Sequence, residues 1–414
     1  MTILFLTIGS FNNLEAGSIH IDVVKTLARK GHMIYVACTN PQQDVERIVM
    51  EQCQGVNILR IKTRSVKKNT NLVRKGLATI LLERAFINAI KQCLSDVKFD
   101  LVLYHTPPVT FEKVVRFIKK RDRAASYLLL KDIFPQNAID LGMMSKQGLK
   151  GMVYRFFRKK EKNLYLASDY IGCMSPANVK FLLENNSYLS PERVEVAPNS
   201  VELKETGLDA SQARAKQKIE RKYIRSKYNI PKDKPVFIYG GNLGKPQGVE
   251  YLISCLDAVK NRNDCIFVIV GNGSEFPKIQ QWYEQHRCEA VHVMHSLPKN
   301  DYDMLARSCD VGLIFLDHRF TIPNYPSRLL SYLVAKMPVL CATDPNTDIG
   351  RIAEENGYGY WCESVKTEDF IALVDKMLRS DLTAMGNRGF DFLCNNYLTE
   401  HTCDAILKHF ENQQ

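Results

Sequence analysis

The segment Tyr239-Gly240-Gly241-Asn242-Leu243-Gly244-Lys245-Pro246-Gln247-Gly248-Val249 combines four glycines with a lysine and ends where a helix is expected to begin. Glycines let the main chain approach a ligand closely, and a helix N-terminus offers unpaired N–H groups and a positive dipole end. The segment therefore suits a diphosphate, although a structural strand-to-helix turn would have the same composition. Its spacing is not G-x-G-x-x-G, which weighs against a dinucleotide-dependent dehydrogenase. In a second segment, Pro323-Asn324-Tyr325-Pro326-Ser327-Arg328-Leu329-Leu330-Ser331-Tyr332-Leu333, Pro326 and Ser327 suit a helix start and Leu329, Leu330 and Leu333 its buried face. The N–H groups of that start, with Arg328 beside them, are expected to hold a second face of the same anion. A capped helix packed on a sheet explains these residues as well.

Other residues carry chemistry singly. Asp132 follows the apolar run Ser126–Leu130, at an expected strand end where a carboxylate can meet a ligand; a cap for the following turn is a nearly equal reading. His20 lies early in the first helix beside the loop that ends at Gly17, and His105 precedes Pro107-Pro108 at another strand end. Each can face a cleft, although such a histidine is more often simply a surface residue. Asp301-Tyr302-Asp303 spells D-x-D, a metal-binding signature, but it starts a helix and is expected to cap it. No His/Cys cluster has metal-ligand spacing and no G-x-S-x-G occurs, so no metal or other cofactor is expected.

Charge points to the partner. The chain has a net charge of +11; residues 1–200 hold 30 Lys/Arg against 17 Asp/Glu, and residues 201–414 hold 26 against 28. A positive field confined to one half implies an anionic partner. Within that half, Arg155, Phe156, Phe157, Arg158, Lys159 and Lys160 interleave aromatics with cations, the composition of a helix lying in an anionic membrane surface, and the basic run Arg60 to Lys75 can add to it. An ordinary amphipathic helix competes with that reading. Nucleic acid fits the charge, but no nucleic-acid motif accompanies it.

These residues need elements to position them. The opening reads as strand Ile3–Ile8, loop Gly9–Gly17, a helix carrying Ile19, Val23, Val24 and Leu27 that stops at Gly31, and strand Met33–Cys38. Such a β-α-β start predicts a parallel sheet with right-handed crossovers. Further strands are expected at Val56–Ile61, Leu101–Tyr104, Ser126–Leu130 and Tyr170–Met174, with a helix over 72–94. A second series begins with Val236–Tyr239 and continues through Ile266–Val270, Val291–Met294, Val311–Phe315 and Pro338–Cys341. The linker is placed after Pro198, giving domains 1–198 and 199–395, with a C-terminal helix, 396–414, returning to the first. No apolar run reaches the ~18 residues of a membrane span. The N-terminus reads as a buried strand rather than a signal peptide, and twelve cysteines without a C-x-x-C pair suggest a reducing compartment.

In order and spacing, the glycine loop, Val270-Gly271-Asn272-Gly273, Pro326-Ser327-Arg328-Leu329-Leu330-Ser331-Tyr332-Leu333, Lys131-Asp132-Ile133-Phe134-Pro135 and Pro198-Asn199-Ser200-Val201 resemble retaining glycosyltransferases of GT-B family 4, in the branch that builds capsular and O-antigen repeat units. The resemblance implies an α/β, GT-B architecture: two facing Rossmann-like domains with parallel sheets and an interdomain cleft. It implies a nucleoside-diphosphate sugar as donor, UDP ahead of GDP, held by Gly241, Asn242, Gly244, Lys245, Gln247, Gly248, Ser327, Arg328, Leu329 and Ser331. The acceptor would be a polyprenyl-diphosphate-linked saccharide at the inner face of the plasma membrane, with Asp132, Lys131 and His20 in catalytic roles and Gly17 and His105 in the sugar or acceptor loops. Lys131 stands where other members carry histidine or arginine. Asn242 and Gln247 replace the family's arginine and lysine, and Pro323 and Ser331 its two glutamates. A nucleotide-sugar epimerase on the same fold, or a non-catalytic partner of a polysaccharide assembly, stays open.

Overall fold

Apolar runs alternating with amphipathic helices form two α/β units in the computed structural model, which describes residues 1–414 apart from 10, 12–13, 15–17, 41–47, 64–71, 204–209 and 412–414. The units are Met1–Glu202 with Thr399–Gln414, and Leu203–Leu398. The first therefore runs past the expected boundary at 198. Its outgoing strand is tied to the returning chain by the Thr399 N–H, which donates to the Val201 carbonyl at 3.2 Å.

The first unit contains β1 (Thr2–Leu6), α1 (Ile19–Arg29), β2 (Met33–Asn40), β3 (Ile48–Cys53), β4 (Val56–Lys62), α2 (Leu72–Cys93), β5 (Leu101–His105), α3 (Glu112–Asp122), β6 (Ala125–Leu130), α4 (Gln136–Asp140), α5 (Gly148–Ala167), β7 (Tyr170–Cys173), α6 (Pro176–Glu184) and β8 (Val194–Val196). Its sheet runs β3-β4-β2-β1-β5-β6-β7-β8, parallel among the described residues except where β3 lies against β4. Chain order reverses between β1 and β5, so their carboxyl ends flank the crevice where open α/β sheets bind ligands. Ile3, Phe5, Leu101 and Leu103 pack there with Val23, Val24 and Leu27 of α1. The Ser18 hydroxyl caps α1 by accepting from the Ile21 N–H, and Gly31, at φ 88°, ends it as expected. Strand β3 was not expected: it joins β4 through Gln54 and Gly55, at φ 49° and 78°, a two-residue hairpin turn.

The second unit contains α7 (Ala210–Lys227), β9 (Val236–Asn242), α8 (Val249–Val259), β10 (Ile266–Asn272), α9 (Phe276–His286), β11 (Val291–His295), α10 (Lys299–Ser308), β12 (Val311–Phe315), α11 (Arg328–Val334), β13 (Val339–Thr343), α12 (Ile349–Glu355), β14 (Gly359–Glu363), α13 (Thr367–Leu378) and α14 (Leu382–Asn396). Its described strands form a parallel sheet, β11-β10-β9-β12-β13-β14, which reverses between β9 and β12. The basic helix α7 is anchored by buried Arg225, which donates to the Ser308 carbonyl and pairs with Asp310 at 2.8 Å. The last helix, α15 (Thr399–Leu407), packs on α1 in the first unit, burying Cys403, Ile406 and Leu407.

The structure corrects the membrane-facing set. Phe157 is buried and meets Phe134 edge-on at 5.1 Å. Arg158 pairs with Glu161 and donates to the Asn186 side-chain carbonyl at 2.7 Å. Lys160, only 11% exposed, pairs with Glu83 at 3.1 Å. One face of α5 is thus committed inward, leaving Arg155, Phe156 and Lys159 exposed together with Met152. Arg60, in the earlier basic run, pairs with Glu51, and positions 64–71 of that run lie outside the described residues. Among the described residues no helix is long and apolar enough to cross a membrane.

Candidate active site

In the second unit the site grows from the carboxyl end of β9. Gly240 has no room for a Cβ because the Tyr302 ring lies against it, and Gly241, at φ 130°, adopts a backbone conformation that favours glycine. A Cβ there would meet the Arg328 guanidinium at 3.7 Å. Arg328 projects from the start of α11 over the Tyr239 ring, its guanidinium carbon 4.2 Å from the centroid. Its Nη1 nitrogen is buried without a hydrogen-bond partner. Tyr332 braces the floor, its hydroxyl 3.2 Å from the Gly240 nitrogen and from the carbonyls of Ile238 and Leu313. Gly241, Asn242 and Lys245 are exposed beside this cation. The arrangement offers main chain without side-chain cover, one unsatisfied guanidinium nitrogen and an exposed lysine charge, which together can take up a phosphate or diphosphate.

Several residues expected to bind are otherwise occupied. The Gln247 carbonyl accepts from the Gly244 N–H at 2.9 Å, so Gln247 closes the loop and consumes that donor. Gly248, at φ 57° and buried against Asp317, donates its N–H to the Lys245 carbonyl at 3.1 Å. Leu329 is buried and its N–H reaches the Pro326 carbonyl, while the Leu330 N–H reaches Ser327, so these first amides of α11 face no ligand. Ser327 is exposed and makes no cap hydrogen bond. Ser331 is exposed, and Pro323 is buried. Asp301 does not cap α10; it accepts from Lys227 at 2.6 Å and from the Tyr228 hydroxyl, tying α7 to α10, while Asp303 pairs with Lys299.

In the first unit a second cluster lies across the β1/β5 reversal. The Thr7 hydroxyl and His105 Nε2 are 2.8 Å apart, and His20 stacks on His105 with ring centroids 3.9 Å apart. Burial, reinforced by the charges of His105 and Lys131, pushes the His20 imidazole down to about 2. Burial likewise holds His105 at about 4, so both rings are neutral at pH 7. At the end of β6, Lys131 donates to the Ala197 carbonyl at 3.1 Å, and burial lowers its ammonium to about 7. Asp132 is raised to about 6 by burial, against the Asn137 amide that donates to it at 2.7 Å. The Thr106 hydroxyl accepts the Lys131 and Asp132 main-chain N–H groups, fixing the backbone at both residues. His20, His105 and Lys131 thus come together, while the Asp132 carboxylate turns to Asn137; Gly17 lies outside the described residues. Thr7, Thr106, Tyr302 and Tyr332 were missed. Thr106, between His105 and Pro107, and Tyr332, four residues after Arg328 on one helix, had local signals.

Two α/β units built on sheets that are parallel, apart from β3 against β4, are the GT-B glycosyltransferase architecture. Residues 220–389 match the family model described as Glycosyl transferases group 1. The chain is 25% identical over 334 residues to the Probable glycosyltransferase WbjE of Pseudomonas aeruginosa, covering 80% of this chain and 79% of that protein. It is 22% identical over 266 residues to the Putative colanic acid biosynthesis glycosyl transferase WcaI of Escherichia coli (strain K12), covering 62% of this chain and 60% of that one. Among solved structures it is similar to Anabaena Alr3699/HepE in complex with UDP, with a TM-score of 0.64 and 12% identity over 100% of both chains.

Proposed function

We propose that the chain transfers a sugar from a nucleoside-diphosphate sugar to a saccharide acceptor, with retention of anomeric configuration, in bacterial surface-polysaccharide synthesis. The observation that carries the reading is the buried, unpartnered Nη1 of Arg328 beside Gly241. A guanidinium held over an aromatic face next to bare main chain is suited to the oxygens of a diphosphate. UDP is put ahead of GDP, a choice the UDP complex of HepE favours.

In this reading Arg328 and Lys245 stabilise the charge that develops on the leaving diphosphate, the largest electrostatic demand of the reaction. The protein supplies no covalent nucleophile; the departing diphosphate takes the proton of the incoming hydroxyl, and binding energy aligns the two. The first unit receives the acceptor, with Asp132 beside its hydroxyl. The acceptor is polyprenyl-diphosphate-linked, and the protein meets it at the inner membrane face through Met152, Arg155, Phe156 and Lys159. The colanic acid term in the name of WcaI favours a polymer pathway.

One observation favours a second reading. Pro323 and Ser331 put no carboxylate where the family resemblance expects two glutamates, which suits a non-catalytic partner of a polysaccharide assembly. A thermal-shift screen against UDP, GDP, TDP, CMP and NAD separates the two. A ligand at 100 times its Kd stabilises by about 2.7 kcal/mol, so a donor nucleotide gives a clear shift. No shift with any of the five would favour the non-catalytic reading. A modified sugar nucleotide released without acceptor would instead mark an epimerase.

A further inference from the structure

With Lys131, the histidine pair of the first unit makes three groups that can carry positive charge, and among the described residues they have no counter-ion. His20 from α1 and His105 from β5 are stacked, and Lys131 follows β6. Among the described residues no carboxylate forms an ion pair with any of the three, and none figures among the influences on their protonation. The nearby acids face elsewhere: Asp132 toward Asn137 at 2.7 Å, and Asp22, also on α1, toward the Glu202 N–H at 3.4 Å. From β7, Cys173 faces Lys131 with a thiol that burial raises to about 12, so it brings no charge. From β1 come the Thr7 hydroxyl and the Phe5 ring, which lies 5.9 Å from His20 and 6.0 Å from His105.

We propose that His20, His105 and Lys131 form a receptor for an anionic group, a phosphate or a carboxylate, carried by one of the two substrates of the transfer. The inference rests on the transferase reading and adds the charge of the group that enters the first unit.

Packing alone gives no reason for a lysine here. Withdrawing an ammonium from water is costly unless it is paired, yet Lys131 is half-buried and its hydrogen bond among the described residues goes to one main-chain carbonyl, Ala197. A leucine or methionine would fill the same space without that cost. The three groups instead repel one another's protons, and an anion beside them reverses the sign of every interaction. Binding would therefore raise the pH at which each imidazole takes up a proton. Thr7 adds a hydroxyl that can exchange its His105 contact for the ligand.

The test follows the ring signals of His20 and His105 by NMR on the full chain with labelled histidine, assigned through His20→Gln and His105→Gln. Without ligand both rings stay neutral down to about pH 5. Inorganic phosphate is expected to raise both midpoints by about one pH unit or more, the usual effect of an opposite charge at close range. Lys131→Met is expected to raise the ligand-free midpoints, by removing a repelling charge, and to shrink the phosphate response. Should that variant fail to fold, Lys131→Arg keeps the charge and should keep the response.

Three further probes identify the source. A response to UDP assigns the anion to the donor, one to farnesyl diphosphate to a lipid-linked acceptor, and one to glucuronate to an acidic sugar. Midpoints unmoved by all four probes would overturn the proposal. In that case persisting thermal stabilisation by UDP would leave the transferase reading intact. Histidines that respond to phosphate in a protein no nucleotide stabilises would have the opposite meaning, ending the donor assignment while keeping the receptor.

Discussion

The Arg328 guanidinium carbon lies 4.2 Å from the centre of the Tyr239 ring, and the same side chain keeps one nitrogen buried and unbonded. The ring holds the cation in place, and the free nitrogen is what remains for a ligand. Replacing Arg328 with alanine should weaken UDP binding by about 1.5–3 kcal/mol, the range for hydrogen bonds to charged groups. Lysine should recover only part of this, since it keeps the charge and loses the planar fork. Calorimetry measures both, and an unchanged Kd in the alanine variant would remove Arg328 from the site.

Gly240 tests the floor of that site. A methyl group there collides with the Tyr302 ring, and overpacking of this kind costs about 1–3 kcal/mol. Gly240→Ala should lower the urea midpoint by a corresponding amount, and adding Tyr302→Ala should restore part of it. Equal loss in the single and double variants would show that the ring is not the obstacle.

The two faces of α5 should behave differently on mutation. Reversing the charges of exposed Arg155 and Lys159 should abolish sedimentation with anionic vesicles and leave the melting temperature nearly unchanged. Lys160→Ala should do the reverse, because Glu83, 1% exposed, would lose its cation; breaking a buried pair costs about 3–5 kcal/mol. Vesicle binding that survives the double reversal would end the docking role.

Asp132 should leave a signature in the pH dependence of stability. Its folded-state value of about 6 lies above the unfolded value of about 3.9. Between these values the unfolded chain ionises first, so stability from this group is present below pH 4 and lost as pH rises through 6. Asp132→Asn removes the penalty. The variant should melt higher than the parent at pH 7.5, with the gap closing as pH falls toward 4.5, while transfer activity drops. A gap independent of pH would mean that Asp132 is ionised as easily in the folded chain as in the unfolded one.

The strands, the glycine loop and the turn at Gly31 were legible because each is written in adjacent residues: apolar runs of strand length, glycines at positive φ, a helix stop. The inward face of α5 was also legible in principle. Phe157, Lys160, Glu161 and Leu164 fall at helical spacing on one side, but the cations among them disguised that face until Glu83 and Glu112 arrived from other helices. Tyr332 follows Arg328 by four residues on α11 and was legible as its neighbour, whereas Tyr302 could not be read as one, because only the packing of α10 brings it there. Thr7 and His105 likewise meet through the β1–β5 register. Strand β3 was missed because its turn uses Gln54, a residue type that rarely announces a left-handed turn position.

Helix α15 makes folding of the first unit depend on the end of the polypeptide. Cys403, Ile406, Leu407 and Phe410 complete the layer that covers Ile21, Val24 and Leu27, yet they emerge from the ribosome only after the whole of Leu203–Leu398. At bacterial-type elongation rates that interval is about 10–40 s, during which α1 has an uncovered apolar face. Cutting the chain once near residue 202 therefore leaves the first fragment with its sheet core but with the α1 face of Ile21, Val24 and Leu27 stripped of its cover.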